Sequence, residues 1–280
     1  MRLAVVGHVE WVEFARVDRV PQPGGIAHAV SLLQVPAGGG AVAGVQLRKL
    51  AGDATIFTAL GDDELGRRSA LELEAMGVRL EHVVRAEPQR RALTLIDRNG
   101  ERTITTIGEK HVPRGKDPLA WDELGAADGV FFVGGDAAAL RLARRARVLS
   151  ATSRVLDLLV QARVQLDAII GSARDPAERY PSGVLDPPPK LVVRTDGARG
   201  GTYEAVDGTR GSWTAEPLPG PLIDTYGSGD NFAAGLTYAL AAGMGVEDAL
   251  EFAARCGAAS ATGLGPYERQ LVLAGHSPRP

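Results

Sequence analysis

Short apolar runs alternate with longer amphipathic stretches along most of the 280-residue chain. The apolar runs predict β-strands at 3–7, 54–60, 129–133, 155–159, 167–170 and 191–195. The longer stretches, each opened or closed by Gly, Ser or Asp, predict helices at 40–51, 63–76, 136–149, 228–243 and 246–262. This alternation is typical of a doubly wound, mostly parallel sheet in an α/β protein.

Two segments, 9–35 and 90–107, interrupt the alternation. In the second, two alternating runs flank the turn Arg98-Asn99-Gly100, and Asn-Gly is a strong signal for a β-hairpin. We therefore expect a small antiparallel sheet, formed by about 9–35 and 90–107, that is placed to cover a ligand cleft as a lid.

Composition narrows the class of protein. Hydrophobic residues make up 45% and charged residues 23%, which fits one globular domain spanning 1–280. The net charge of −3 and the lack of a long Lys/Arg block argue against a nucleic-acid partner, and no run is apolar enough to predict a membrane span. The single Cys256 cannot form an intramolecular disulfide, so we expect a reduced, cytoplasmic protein.

The strongest chemical signal is a glycine-rich turn that leads into the helix predicted at 228–243. Residues 224–235 read Asp-Thr-Tyr-Gly-Ser-Gly-Asp-Asn-Phe-Ala-Ala-Gly. Backbone N–H groups at a helix start attract anions, and a carboxylate among them repels a phosphate. Asp230 is therefore a candidate base that takes a proton from an attacking hydroxyl, although on its own it could equally be a helix cap.

The whole string resembles the second signature of the PfkB family of carbohydrate kinases, Asp-Thr-x-Gly-Ala/Ser-Gly-Asp-x-Phe-x-x-Gly, at every fixed position. The resemblance implies a ribokinase-like three-layer α/β/α fold with a β-sheet lid. It also implies an enzyme that moves the γ-phosphoryl of ATP to a sugar hydroxyl. Asp230 would be the base, and the amides of Gly227, Ser228 and Gly229 would form an anion hole.

A second region is similar to the first signature of that family. Gly38, Gly39 and Gly40 open a predicted helix, and a Gly-x-Asp-x-x-Gly pattern follows at 61–66. Glycines before a helix let the backbone approach a polyol closely, although a triple glycine alone is more often a flexible turn. The resemblance implies that these glycines bind the substrate together with Asp230.

Two further stretches resemble the parts of the family that contact ATP and Mg²⁺. Ser172 to Asp175 stands where the family has Asn-x-x-Glu, so Asp175 would hold Mg²⁺ through water, although capping a short helix explains it equally well. Thr195, Gly197 and Gly200 resemble a family turn that contacts ATP phosphates. Thr225 is expected at the same nucleotide site as Gly227 and Gly229.

The match weakens on the substrate side. The Asp that the family carries on its first lid strand falls on Val12, and the Asn of its Gly-Gly-x-x-x-Asn falls on Ala43. Glu10 shares a strand face with Val12 and could take over the contact with a hydroxyl. We therefore expect Glu10 and position 43 at the substrate site, with an acceptor that is not held as ribose is.

Further expectations are a monovalent cation at the loop around Asp224 and a homodimer formed through the lid. Two alternatives stay open. One is a nucleoside or vitamin-alcohol kinase of the same fold, for which Trp11 and Phe14 could supply an aromatic wall. The other is a non-catalytic protein that senses a sugar or a nucleotide.

Overall fold

The computed structural model describes residues 1–273, so the last seven residues of the predicted domain lie outside the described part. The strands are β1 (Leu3–Val6), β2 (Glu10–Arg16), β3 (Ser31–Ala37), β4 (Ala54–Gly61), β5 (Arg79–Arg85), β6 (Arg91–Ile96), β7 (Arg102–Ile107), β8 (Gly129–Phe132), β9 (Val148–Thr152), β10 (Ala168–Ser172), β11 (Leu191–Thr195), β12 (Gly201–Ala205) and β13 (Arg210–Trp213). The α-helices are α1 (Gly38–Ala51), α2 (Glu64–Ala75), α3 (Ala137–Ala143), α4 (Leu156–Ala162), α5 (Ser228–Ala241) and α6 (Val246–Ser260).

The large sheet has the order β13-β12-β11-β10-β9-β8-β1-β4-β5, and its strands from β11 to β5 run parallel. Its faces are covered by different helices. Leu3 and Val5 of β1 share a core with residues of α1, α5 and α6, whereas Ala4 and Val6 share a core with residues of α3 and α4. Alternate residues of one strand are thus buried on opposite faces, as in a three-layer α/β/α fold. The predicted fold class is confirmed.

The smaller sheet has the order β3-β2-β6-β7. The hairpin β6–β7 is antiparallel, with Ile96 opposite Arg102 and Gly100 at φ 77° in the turn, as its sequence predicted. The side chain of Asp97 stabilises this turn by accepting hydrogen bonds from the amides of Asn99 and Glu101 at 2.8 and 3.0 Å. Strand β3 continues to residue 37, slightly beyond the predicted segment.

One predicted strand is wrong. Residues 156–162 form α4, and the strand β9 lies at 148–152, where the end of a helix was predicted. Both stretches are short and apolar, and periodicity alone cannot separate a buried strand from a buried helix turn at that length. In α4 only Leu159 and Ala162 are buried, which is the one-sided burial of a surface helix.

The edges of the large sheet were not predicted: β5, β12 and β13 are short, partly exposed strands without a continuous apolar run. Among residues 1–273, no helix combines the length and the apolar character needed to cross a lipid bilayer.

Candidate active site

Asp230 lies in the first turn of α5, and this helix begins directly after a residue in the left-handed conformation. Gly227 has φ 75°, a conformation that L side chains rarely adopt, and its carbonyl accepts the amide of Asn231 at 2.8 Å. The Asn231 side chain donates to the same carbonyl at 3.0 Å. These bonds fix the turn so that the first amides of α5 stand at the end of the helix.

Several of those amides are free donors within residues 1–273. The N–H groups of Gly227, Gly229 and Asp230 donate no hydrogen bond to any residue that the structure describes, while Ser228 donates to the Thr225 carbonyl at 3.3 Å. A Cβ added to Gly229 would have no atom within 4 Å. The helix start is therefore an open place lined with free donors, which suits an anion.

The carboxyl group of Asp230 has an unusual pKa. Burial in the cleft, assisted by the negative charge of Glu178, raises the pKa of Asp230 to about 6, while Arg102, Arg154 and Lys110 act in the opposite direction. A carboxylate with a pKa near neutrality is ionised at pH 7 and is a better proton acceptor than an ordinary Asp.

The glycines at the start of α1 lie against this carboxylate. A Cβ on Gly39 would stand 2.9 Å from Asp230 Oδ1, and one on Gly40 would stand 2.5 Å from the His8 carbonyl. A Cβ on Gly38 would stand 3.2 Å from Glu10 Cγ. Without side chains here, α1 packs closely beside Asp230, Glu10 and the end of β1.

Glu10 is buried at the start of β2 and faces Arg90. Its Oε1 lies 2.9 Å from Arg90 Nε, although the angle is outside hydrogen-bonding geometry, so the two groups attract mainly by charge. Burial raises the pKa of Glu10, and the charges of Arg90 and Lys110 oppose that rise. The neighbouring His8 accepts from the Gly39 amide at a long 3.4 Å, and burial keeps its pKa well below the usual value, so its ring is neutral.

The two positions at which the sequence departs from the family pattern offer no polar group. Val12 and Ala43 are fully buried, Val12 beneath the small sheet and Ala43 in the core with Leu3 and Phe131. Ala43 therefore does not join Glu10 and Asp230 at the surface of the cleft.

Where the sequence predicts the Mg²⁺ contact, two carboxylates converge on one arginine. Arg154 Nη2 lies 2.6 Å from both Asp175 Oδ2 and Glu178 Oε1. Asp175 also caps a short 3₁₀ turn by accepting from the Ala177 amide, and Glu178 accepts from the Ser172 amide at 2.7 Å. Within residues 1–273, no three His, Cys, Asp or Glu side chains meet in a way that could hold a metal by themselves.

The turn after β11 connects it to β12. Gly197 and Gly200 both have positive φ, 56° and 88°, and Gly200 packs directly beneath the Trp213 carbonyl. Thr195 donates its hydroxyl to the Gly171 carbonyl at 3.4 Å. These glycines are required by the turn itself, whether or not they also contact a ligand.

The loop before α5 is tied to the small sheet. Arg102 on β7 donates to the Thr225 carbonyl and hydroxyl at 3.0 and 2.7 Å. The buried Asp224 accepts from the amides of Tyr226 and Gly265 at 2.8 and 3.1 Å, so both of its oxygens are occupied by the protein. The small sheet is thereby tethered to the loop that carries the free amides.

Four charged residues of the cleft were missed in the sequence: Arg90, Lys110, Arg154 and Glu178. Lys110, Arg154 and Glu178 lie outside the motifs, and only the fold brings them near Asp230. Arg90 is the first residue of the predicted lid segment, and the fold places it beside Glu10.

The chain is similar to known sugar kinases over nearly its whole length. It matches the family described as pfkB family carbohydrate kinase at residues 1–179 and 146–271. It is 31% identical to the ATP-dependent ribose-1-phosphate kinase of Halopiger xanaduensis over 93% of this chain and 92% of that protein. It is 26% identical to the fructokinase of Salmonella typhimurium over 92% and 95%.

Solved structures agree with the fold. The ribokinase of Thermotoga maritima superposes with a TM-score of 0.78 at 18% identity, covering 96% of both chains. The Arabidopsis thaliana ribokinase complexed with ribose and ATP superposes with a TM-score of 0.76 at 18% identity, covering 96% of this chain and 95% of that one.

Proposed function

Because the chain belongs to the PfkB family of carbohydrate kinases, we propose that it phosphorylates a hydroxyl of a small sugar or sugar-like substrate with ATP, and that Asp230 is the general base. The observation that carries this proposal is the first turn of α5. A carboxyl group with a pKa of about 6 stands there beside amides that bond no residue of the described chain.

The chemistry follows from that geometry. Asp230 takes the proton of the acceptor hydroxyl as the hydroxyl oxygen attacks the γ-phosphorus in line, and the bond from that phosphorus to the β–γ bridging oxygen breaks so that ADP leaves. The amides of Gly227 and Gly229, with the weakly bonded amide of Ser228, stabilise the charge that develops on the phosphoryl oxygens. Each stabilising donor of this kind is typically worth about 3 kcal/mol in the transition state.

The nucleotide is expected between the same loop and the turn after β11. Thr225, Gly227 and Gly229 would face the phosphates from α5, and Thr195, Gly197 and Gly200 would face them from the other side. The tether between Arg102 and Thr225 would let closure of the small sheet complete the site.

The acidic pair fits hydrated Mg²⁺ better than a directly bound ion. Both oxygens of Asp175 and of Glu178 already accept hydrogen bonds from the protein, so contact with Mg²⁺ through water suits them better than direct ligation. Mg²⁺ in kinases typically has one or two carboxylates, the phosphates and several waters. When bound, Mg²⁺ neutralises charge on the phosphates. We assign Glu178 to this role alongside Asp175, because the two carboxylates converge on the same Arg154 guanidinium.

The expected monovalent cation has less support. Both oxygens of Asp224 already accept backbone amides, so the protein orders this loop by its own hydrogen bonds. No step of the proposed mechanism uses such a cation.

The aromatic wall that a nucleoside kinase would need is not at the cleft. Trp11 is buried beneath Arg68, whose guanidinium carbon lies 4.4 Å from the ring centre, and Phe14 packs edge-on against Tyr226 at 4.7 Å. A sugar acceptor is therefore favoured over a nucleoside. The names of the two relatives above specify one phosphorylated sugar and one neutral sugar, so they do not decide whether the acceptor carries a phosphate.

We further propose a cytoplasmic homodimer that pairs through the small sheet. β3 and β7 are its edge strands, and Leu32, Ile104 and Ile107 on them are exposed. Open strand edges with apolar side chains favour pairing with another chain. Sedimentation measurements on the wild type and on Ile104→Lys test this, since a charge on the edge should shift a dimer toward monomer.

The proposed activity is tested by ADP release from Mg·ATP across pentoses, hexoses, their phosphates and nucleosides. Phosphorus NMR of the product then identifies the hydroxyl that was modified. Turnover on a sugar or a sugar phosphate supports the proposal. Turnover confined to nucleosides would contradict it, and bound ATP without turnover on any acceptor would favour the sensor.

A further inference from the structure

The segment that follows α6, residues 261–273, contains no helix or strand and packs against the elements that form the candidate site. The amide of Gly265 donates to Asp224 Oδ2 at 3.1 Å, in the loop before α5. The Tyr267 hydroxyl donates to the carbonyl of Pro36 on β3 at 2.6 Å. This post-α6 segment is therefore held by hydrogen bonds close to the start of α5.

Gln270 in the post-α6 segment bonds two helices at once. Its side chain is buried, and Nε2 donates to the Val42 carbonyl of α1 at 3.0 Å and to Asn231 Oδ1 of α5 at 2.8 Å. A side-chain amide has two N–H donors, so each helix receives one of them. Gln270 thus ties α1 to the first turn of α5.

Asn231 passes this contact on to the turn before α5. Its Nδ2 donates to the Gly227 carbonyl at 3.0 Å, and its backbone amide donates to the same oxygen at 2.8 Å. Because Nδ2 faces Gly227, Oδ1 has to find a donor elsewhere, and Gln270 supplies it. Loss of that donor would leave Oδ1 buried without a bond, which costs free energy and frees the Asn231 side chain to rotate away from Gly227.

The Gly227 carbonyl controls the direction of a neighbouring amide. A peptide unit is planar, so the plane that carries the Gly227 C=O also carries the N–H of Ser228. The amide of Gly227 itself is one of the free donors at the helix start. Val42, the other partner of Gln270, lies close to the same turn, because its Cγ1 would stand 3.0 Å from a Cβ on Gly227. Both bonds of Gln270 therefore lead to Gly227.

We propose that Gln270 is a positioning residue for phosphoryl transfer. Through Asn231 it holds the Gly227 carbonyl, and with it the amides at the start of α5, in the orientation that receives the transferred phosphoryl group. The proposal rests on the proposed kinase function and adds a residue that acts on the site only through other residues. Neither Gln270 nor Asn231 occupies a fixed position of the two signatures, so the motifs assign them no role.

Gln46 provides a matched control for Gln270. It is also a buried glutamine, and its Nε2 donates to the Leu271 carbonyl of the post-α6 segment at 2.9 Å. In both glutamines Oε1 bonds no residue of the described chain. Gln46 lies on α1, however, and its side-chain bond leads away from Gly227. The two residues therefore separate support of the fold from positioning of the amides.

The first experiment compares Gln270→Met with Gln46→Met on the acceptor that the wild type phosphorylates. Each variant should lower Tm by about 2–4 °C, because each leaves a buried carbonyl without its side-chain donor. Only Gln270→Met should lower kcat on the order of 10-fold, with KM for ATP and for the acceptor changed by less than about 3-fold, because misplaced amides weaken the transition state more than substrate binding. Equal kcat values in the two variants would overturn the proposal.

The second experiment tests the route through Asn231. Asn231→Ala places a residue that favours helices in α5 and should lower kcat about as much as Gln270→Met does. Adding Gln270→Met to it should lower kcat by less than about a further 2-fold, since the route is already interrupted. Independent losses that multiply would refute this route. If Gln270→Met does not fold, Asn231→Ala with the wild-type kcat would refute it as well.

If no acceptor is turned over, NMR hydrogen exchange tests the positioning without catalysis. The probe is the Asn231 backbone amide, whose bond to the Gly227 carbonyl closes the turn. Its exchange should be on the order of 10-fold faster in Gln270→Met than in the wild type, and unchanged in Gln46→Met. That result would support the positioning role while the kinase function fails. Exchange that is unchanged in Gln270→Met would overturn the positioning role, whatever the activity of the enzyme.

Discussion

Two glycines that stand two residues apart in the turn before α5 should respond oppositely to alanine. Gly229 lies within α5 and is not in the left-handed region, and a Cβ there would meet no atom within 4 Å. Alanine should be accepted by the fold and should raise the free energy of unfolding by up to about 1 kcal/mol, because alanine loses less backbone entropy in a helix. The new methyl group would project into the space where we place the transferred phosphoryl.

Gly227 is different, because its glycine is required by the fold. At φ 75° an alanine costs about 1–2 kcal/mol, and its Cβ would stand 3.0 Å from Val42 Cγ1 and 3.3 Å from Pro266 Cβ. We expect a loss of about 2 kcal/mol, which lowers Tm by about 4–8 °C for a chain of this size. Gly227→Ala should therefore lose stability and activity together.

The assay is thermal unfolding and ADP release on both variants and the wild type. Gly229→Ala should unfold at or above the wild-type temperature and lose at least about 10-fold in kcat/KM, since small displacements of the reacting groups are costly. A Gly229→Ala enzyme with wild-type activity would refute the reasoning, because the open space at the helix start would then not be the place of phosphoryl transfer.

Three further substitutions test the charges of the fold. Since the pKa of Asp230 is raised to about 6 in the folded state, the wild type loses stability as pH rises from 4 through 6. Asp230→Asn should therefore raise the free energy of unfolding by near zero at pH 4 and by on the order of 1–3 kcal/mol above pH 7. A gain that does not vary with pH would be inconsistent with this pKa. The log of wild-type kcat/KM should likewise rise with pH up to about 6 and then level off. Burial acts to raise the pKa of Asp117, but hydrogen bonds from Arg85 and from the Arg114 amide outweigh it and lower the pKa. Asp117→Asn should therefore lower the free energy of unfolding in urea by on the order of 3 kcal/mol at pH 7 and by less at pH 3. Equal losses of stability at the two pH values would argue against the ion pair. Glu10→Gln should lower the affinity for a sugar acceptor on the order of 10-fold, because it removes the charge that would accept a sugar hydroxyl; an unchanged affinity, measured by calorimetry, would speak against Glu10 at the substrate site.

The geometry of the loop that carries Asp230 was predictable because it is local. A glycine turn, a helix start and Asp230 lie within a few residues of one another, and the helix positions all of them. The hairpin around Gly100 was predictable for the same reason, since its turn signal, Asn99-Gly100, lies within the loop itself; the loop spans 97–101, between Ile96 and Arg102. Residues 156–162 were misassigned because a short apolar stretch suits a strand or a helix, and only its packing decides.

The set of charged side chains in the cleft could not be predicted, because they come from segments that are distant in the sequence. Arg90, Lys110 and Glu178 come from three separate parts of the chain and have no motif of their own. The losses at positions 12 and 43 were visible in the sequence. What replaces them is visible only once the fold places Arg90 beside Glu10.

The central claim is that Asp230 is the base of a kinase, and the most direct test measures phosphoryl transfer and ATP affinity together. Asp230→Asn is compared with Asp62→Asn, which changes an exposed carboxylate whose nearest cation, Arg67, is 3.9 Å away. We predict that Asp230→Asn binds Mg·ATP as the wild type does and loses kcat by about 100- to 10,000-fold, while Asp62→Asn keeps both. An Asp230→Asn enzyme that turns over at the wild-type rate would contradict the account.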